Sequence, residues 1–437
     1  MRDFLETVAG MKGAGGLFRP DRPVYVARAP GRIDLMGGNV DYTGGLVFQA
    51  TIREATWAAV QLRADDRIRF VNPQVGEAAG FSLADLSGEE NVMAAVRRDT
   101  HNSWTAYTLG LFYYLRKNFP GQVCSGADVY IESDIPMNKG VSSSAAIEVS
   151  VMLAAVQAYG VTLAGIELAL ACQWVENVIA GAGCGIMDQA AVLLGDEGYV
   201  MPLLCQPCSV LPLVKLADDL VIWGIDSGVS HAVSGIAYEA VRAASFMGDR
   251  MIREWGGPDG YLSDIAPSVF RARFECRLPE LISGAEYLER FHDHLDPFSL
   301  VRPEITYRVR ACTRYSIEEN QRIRLFVELA RLRSREAFEL MGELMYQSHW
   351  SYTECGLGSE ATDLLLDLVR AEGPSAGLFG ARVSGGGAGG TVVILGLKSA
   401  RSALDHVTAV FAANRGFTPY VFEGSSQGAE RYGVRAL

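Results

Sequence analysis

Between residues 24 and 66, apolar and polar positions alternate in β-branched and aromatic runs (VYVAR, LVFQATI, TWAAVQL) parted by glycine-containing turns, a pattern that predicts an antiparallel sheet. Helical spacing follows over about 104–115. An alternating strand begins at Ala127, a proline and glycine turn occupies 136–140, and helical sequence runs over about 143–159 and 163–179. The second half offers a strand over 220–226, a helix around 232–255, helical periodicity over 317–346 and 360–370, and a glycine-dense strand pair across 382–395. Strands and helices mix without regular βαβ alternation, so the predicted fold class is α+β in two domains, 1–212 and 213–437, rather than a doubly wound parallel sheet. Residues 256–302 carry no interpretable motif.

The uncharged stretch 149–166 reaches the length at which a membrane span is considered. Gly160 interrupts it, Gln157 and Thr162 are polar and Glu148 and Glu167 flank it, so two buried helices joined at a glycine cap are expected. The opening residues carry Asp3 and Glu6 and no apolar block of signal-peptide length, and a cytoplasmic protein is expected. Apolar residues make up 49% and charged residues 21%, as in ordinary folded chains. A formal charge of −12 argues against nucleic acid and anionic membranes as partners. Eight irregularly spaced cysteines describe no disulfide framework, and neither the lone Cys205-Gln-Pro-Cys208 nor His292-Asp-His294 has the further ligands of a metal site.

Three segments depart from packing logic. Pro136-Met-Asn-Lys139-Gly140-Val141-Ser142-Ser143-Ser144-Ala145 lies between a strand and a helix, where free backbone N–H groups and the helix dipole make an anion cradle. That chemistry suits phosphate, and serine hydroxyls can add an oxygen ligand for Mg²⁺. A serine cap after a glycine turn explains one serine, not three. The second segment, Arg382-Val-Ser-Gly385-Gly386-Gly387-Ala388-Gly389-Gly390-Thr391, fits G-x-G-x-x-G formally. β-Branched sequence follows it instead of a helix, so a dinucleotide fingerprint fails and close approach of backbone to another chain or a ligand is the expectation. The third, Ala29-Pro-Gly-Arg32-Ile-Asp34-Leu-Met-Gly37-Gly38-Asn39-Val-Asp41-Tyr42, clusters Arg32, Asp34, Asn39 and Asp41 as a polyol-binding loop would. A fourth stretch, 176–189, sets Asp188 after a glycine-rich turn, where an aspartate also serves as a helix cap.

In this order and spacing, APGRIDLMGG, KGVSSSAA and SGGGAGG resemble the three motifs of the galactokinase, homoserine kinase, mevalonate kinase and phosphomevalonate kinase (GHMP) superfamily. The segments CQWVENVIAGAGCGIMDQ, WGIDSGVSHAVSGIAY and ELMYQSHWSYTECGLGS resemble its galactokinase branch and, within that, the L-arabinokinases. The resemblance implies a first domain like ribosomal protein S5 domain 2, a ferredoxin-like second domain, and ATP bound at their junction. It implies a phosphate loop made of Lys139, Gly140, Val141, Ser142, Ser143, Ser144 and Ala145, with Gly386 and Gly387 of the third motif beside it. Trp104 and Tyr107 would flank adenine, and Ser144 and Glu176 would ligate Mg²⁺. Asp188 would be the base and Arg32 its electrostatic partner. Asp41, Gly185 and Tyr238 match sugar contacts.

The implied activity is a sugar 1-kinase. Phosphoryl transfer needs an aligned hydroxyl, neutralised phosphate oxygens and a proton acceptor, and an anomeric hydroxyl is more acidic than an ordinary one, which suits a carboxylate base. Where galactokinases carry a glutamate and a histidine, the glutamate contacting the C6 hydroxyl, this chain has Gly38 and Asn39. L-Arabinopyranose has the ring stereochemistry of D-galactopyranose without its C6 hydroxymethyl, so L-arabinose is the expected substrate. Loss of one hydrogen bond to a charged acceptor is worth about 1.5–3 kcal/mol, which demotes galactose without excluding it, and D-galacturonate stays open. The alternative from another class is a sugar- and ATP-sensing regulator, which need not keep Arg32, Glu176 and Asp188 together as this chain does.

Overall fold

The structure, a computed structural model, describes residues 2–13, 16–75, 79–98, 104–230 and 235–437. The alternating segments at the start form Tyr25–Met36 and Leu46–Leu62, an antiparallel pair at the centre of a nine-stranded sheet among the described residues. Leu46–Leu62 is long enough to serve two neighbours, Tyr199–Leu204 along its first half and Ala127–Ser133 along its second. Ala127–Ser133 pairs in parallel with Arg67–Val71, which pairs with Ala79–Ser82 at the edge. The predicted helices Ser143–Tyr159 and Gly165–Val178 stack behind the sheet, with Gly160 at φ +66 closing the first, a conformation glycine adopts without steric cost. Among the described residues no helix is long and apolar enough to cross a membrane.

A second, four-stranded antiparallel sheet runs in the order Leu378–Val383, Thr391–Leu397, Leu220–Asp226, Val421–Glu423. Numbered along the chain this is 2-3-1-4, and the two sheets with their helices make up the α+β class that the sequence predicts. The glycine-dense segment is the turn of the Leu378–Val383/Thr391–Leu397 hairpin. The periodicity over 317–346 belongs to two helices, Val309–Leu332 and Arg335–Cys355. Arg333 breaks them with a left-handed φ of 52, and Ser334 restarts the second by accepting a hydrogen bond from Ala337 N at 3.2 Å. The helix expected around 232–255 is Ile236–Glu254; residues 232–234 lie outside the described residues.

The sheets and the expected split at 212/213 do not follow one line. Val214–Lys215 pairs with Tyr199–Leu204, and Arg435–Ala436, at the end of the chain, pairs with the start of Tyr25–Met36, so both belong to the first sheet. Residues 256–302 fold as short elements, chiefly the helices Pro267–Arg273 and Gly284–Phe291, packed near Ile236–Glu254 and Val309–Leu332.

Candidate active site

The strand Tyr25–Met36 is irregular where its sequence turns polar. Its register against Leu46–Leu62 shifts between Pro30 and Arg32 and again between Asp34 and Met36. Such bulges bend a strand and re-aim its side chains. Here the first releases Arg32 N to bond Val141 O at 3.1 Å, which ties the strand to the serine loop. The Arg32 guanidinium then donates from Nη1 to Gly140 O at 2.7 Å and from Nε to Asp188 Oδ1 at 2.9 Å, with Nη2 2.7 Å from the same carboxylate oxygen. Arg32 is 3% exposed and Asp188 20%, so the pair is shielded on the arginine side and open on the aspartate side.

The serine loop holds Asn138, Gly140 and Ser142 at φ values of 59, 69 and 61, a conformation that costs energy for the two non-glycine residues. The turn aims the loop at Asp188: Ser142 makes no capping bond to the helix it precedes and donates its hydroxyl to Asp188 Oδ2 at 2.5 Å. Asp188, in the first turn of Met187–Leu194, is thus held by Arg32 on one oxygen and Ser142 on the other.

These residues border a cavity of about 340 Å³. Its walls include Arg32, Asn39 and Asp41 from the first motif, Trp104 and Tyr107 from the helix edge, Gly140, Ser142, Ser143 and Ser144 from the serine loop, and Glu176, Gly185, Asp188, Tyr238 and Gly386. Gly185 has no side chain because Asp41 occupies the space: a methyl added there would lie 2.0 Å from Asp41 Oδ2. Burial, helped by the charge of Asp188, raises the Asp41 carboxyl to about 6. The Asn39 amide is buried on the wall and its Nδ2 has no partner.

Five residues expected at the site are not on its walls. Lys139 ion-pairs with Asp226 at 2.8 Å, and its carbonyl accepts from Thr391 Oγ1 at 2.8 Å, so it fastens the serine loop to the second sheet. The side chains of Val141 and Ala145 are in the hydrophobic core beneath the loop. Gly387, at φ +76, faces Tyr352 and Leu357, where a methyl would meet the tyrosine ring at 2.5 Å. Gly38 accepts from Tyr315 Oη at 2.7 Å, and a side chain on it would run into Gly385 O at 2.5 Å and Tyr352 Oη at 2.8 Å. Glycine is required at 38 by the packing of the first motif on the glycine loop and Tyr352, and at 387 by Tyr352 and Leu357. Asp34, grouped above with the polyol ligands, is fully buried on Arg382 instead.

The sequence reading also missed wall residues: Met137 and Asn138 in the turn before the serines, Ile147 on the following helix, and Ala182, Cys184 and Met187 around Asp188. The first two lie in the Pro136–Gly140 turn, whose proline, asparagine and glycine were the available signal; nothing in the apolar Ile147 or Met187 distinguishes them from core.

Behind the cavity two more carboxylates are buried. Gln189 Nε2 donates to Glu176 Oε2 at 2.5 Å and to Glu148 Oε2 at 3.0 Å, while Glu148 Oε1 has no partner. Burial first, and the neighbouring Asp188 second, raise the Glu176 carboxyl to about 7; burial first, and Glu176 second, also push Glu148 well above the ordinary carboxylate range. Ser144 bonds to Glu176. Crowded buried carboxylates beside a hydroxyl are a hard-oxygen donor set short of positive charge.

Models of three families match the chain: the GHMP kinases N terminal domain at residues 106–196, the galactokinase galactose-binding signature at 17–62, and the GHMP kinases C terminal domain at 326–413. A galactokinase from Chloroflexus aurantiacus is 31% identical over 90% of this chain and 87% of its own length. The chain belongs to the galactokinase branch of the GHMP kinases. This kinase is also 34% identical to an L-arabinokinase from Arabidopsis thaliana over 98% of its length, and it spans about half (48%) of that relative. The crystal structure of Lactococcus lactis galactokinase complexed with galactose superposes with a TM-score of 0.79 at 22% identity, covering 100% of this chain and 99% of that one. By its family the chain is a sugar kinase with ATP as co-substrate. The galactose-binding signature contains Arg32, Asn39 and Asp41, and the N-terminal model contains the serine loop, Glu176 and Asp188.

Proposed function

We propose that this kinase transfers the γ-phosphoryl group of ATP to the anomeric hydroxyl of a monosaccharide, with L-arabinose preferred and Mg²⁺ required. The observation that carries the reading is the clamp on Asp188. Arg32 and Ser142 fix its carboxylate between the serine loop and the polar wall of Asn39, Asp41 and Tyr238, with the aspartate edge open to the cavity. A sugar seated on that wall brings a hydroxyl to Asp188, which takes its proton as the oxygen attacks phosphorus. Arg32 stabilises the charge that grows on the sugar oxygen. Backbone N–H groups at the start of Ser143–Tyr159 hold the phosphates. Ser144 and Glu176 would hold Mg²⁺, which supplies neutralising charge to the phosphate oxygens when bound.

The choice of sugar rests on positions 38 and 39. No carboxylate can enter the cavity from position 38 while Gly385 and Tyr352 pack where its side chain would be, and position 39 offers a neutral amide with a free donor. That wall suits a pentopyranose, which has ring hydroxyls to satisfy and no C6 hydroxyl. The test is ADP release from Mg-ATP with L-arabinose, D-galactose and D-galacturonate in parallel. Preference for L-arabinose supports the assignment; preference for galactose moves it to galactokinase, and turnover of none removes it.

A further inference from the structure

Resting on that reading, the segment without a motif acquires a role. We infer that residues 292–302 brace the sugar side of the cavity, and that the buried Arg242–Asp296 pair sets the affinity for the sugar without touching it. Arg242 donates from Nε to Asp296 Oδ2 at 2.7 Å and from Nη2 to Oδ1 at 2.8 Å, with the two side chains 5% and 2% exposed. A two-pronged pair of this kind fixes orientation as well as distance. The loop is locked around it: Ser299 Oγ donates to Asp296 Oδ2 at 2.6 Å, and Asp296 N donates to His294 Nδ1 at 3.2 Å.

The brace reaches three neighbours of the sugar wall. Arg242 lies one helical turn beyond Tyr238 on Ile236–Glu254, and the adjacent Glu239 receives Arg302 Nη2 at 2.7 Å. The Arg242 guanidinium covers the ring of Tyr42 at 4.8 Å, and Tyr42 both follows Asp41 and meets Tyr238 edge-on at 6.4 Å. The carbonyl of Phe298 packs on Gly183, where a methyl would lie 3.1 Å away, two residues before Gly185. One loop therefore bears on the supports of Tyr238, Asp41 and Gly185 together. A buried ion pair is a poor source of net stability compared with apolar packing, so its presence here is better accounted for by the geometry it imposes. Holding wall residues in their binding positions beforehand lowers the ordering cost of the sugar. The contacts that build the brace run to Glu239, Arg242, Tyr42 and Gly183, all beside the sugar wall.

The experiment compares the wild-type kinase with Asp296→Asn and Arg242→Lys. KM is measured separately for ATP and for the best sugar of the panel above, and the sugar Kd is measured by calorimetry. Asp296→Asn is expected to raise both the sugar KM and the sugar Kd about tenfold, with the KM for ATP changed less than about twofold. Arg242→Lys, which keeps the charge and loses the fork, falls between. If Asp296→Asn does not fold, Ser299→Ala is measured in its place, with a smaller rise of about threefold expected from one lost hydrogen bond. An unchanged sugar Kd in a folded variant, or equal rises for sugar and ATP, overturns the inference. A wild-type protein that turns over no sugar instead defeats the functional reading beneath it.

Discussion

Two arginine–aspartate pairs meet on the strand Tyr25–Met36, two residues apart. Arg32 pairs with Asp188 at 2.7 Å and Asp34 with Arg382 at 2.8 Å. In the first pair the aspartate edge reaches the cavity; in the second both side chains are 0% exposed. Asp34 also accepts from Gln49 Nε2 at 2.6 Å and from Gly385 N, and Ser384 Oγ accepts from its backbone N–H. The same charges in the same local sequence therefore divide the work by access to solvent. In the proposed reaction the open pair exchanges a proton with the substrate, whereas the closed pair joins the first motif to the glycine loop of the other sheet.

The largest effect separates the two at the level of chemistry. Asp188→Asn keeps shape and a bond to Ser142 but removes the proton acceptor, and turnover is expected to fall about 10²–10⁴-fold with the sugar Kd nearly unchanged. Melting temperature is measured beside it, because the buried Arg32 loses its charged partner and a fall in stability must be told apart from the loss of turnover. A variant that keeps more than a tenth of wild-type turnover would show that Asp188 is not the base.

Next comes stability. Arg382→Met strands the Asp34 carboxylate in the core, and loss of one partner of a buried pair costs about 3–5 kcal/mol. Replacing both, as Asp34→Leu with Arg382→Met, is expected to be milder than Arg382→Met alone, because no charge is left behind. Urea unfolding of the three proteins decides it. A double variant no more stable than the single one would mean that the bonds from Asp34 to Gln49 and Gly385, rather than the ion pair, hold the junction.

The cavity pair is also bordered by carboxyl groups in the working pH range, Glu176 at about 7 and Asp41 at about 6. Both are raised above their unfolded values, so between those values and the folded ones the native protein binds protons that the unfolded chain has released. Their contribution then favours folding more as the pH falls from about 8 towards 5. In protein free of nucleotide and metal, Glu176→Gln should flatten this slope and add stability at pH 8. The sugar responds oppositely, since a protonated Asp41 accepts hydrogen bonds less well: sugar KM rises below about pH 6, and Asp41→Asn removes that rise. Melting curves and a KM profile across the range test both signs.

The motifs and the helices behind the serine loop were legible because each has a local cause, small residues at a helix start and glycine where backbones meet, whereas the convergence of the first motif with Asp188 was implied only by the resemblance to the GHMP kinases. The side of a loop that faces the cavity was not. Gly38 and Gly387 owe their placement to Tyr352 and Leu357, and Asp34 to Arg382, partners distant in the chain that no spacing rule connects. The return of Arg435–Ala436 to the first sheet left no trace either, since a two-residue strand has no period to read. Nothing local marks Arg242 as buried, since its partner Asp296 comes from the segment without a motif.

Lys139 brings that lesson to its smallest measurable consequence. A lysine in a phosphate-loop sequence is expected to reach phosphate, yet here its ammonium is 2.8 Å from Asp226, at the end of the strand Leu220–Asp226, and one quarter of its side chain is exposed. A partly exposed pair contributes about 0.2–1 kcal/mol, so Lys139→Met should lower stability only slightly and leave the KM for ATP within about twofold. If the lysine instead left Asp226 to meet the nucleotide, removal of its charge would raise that KM about tenfold or more. The size of the change in KM therefore tells whether the serine loop binds phosphate through its backbone alone, with Lys139 as the tie that, like Arg382 two strands away in the same sheet, keeps the two sheets in register around the site.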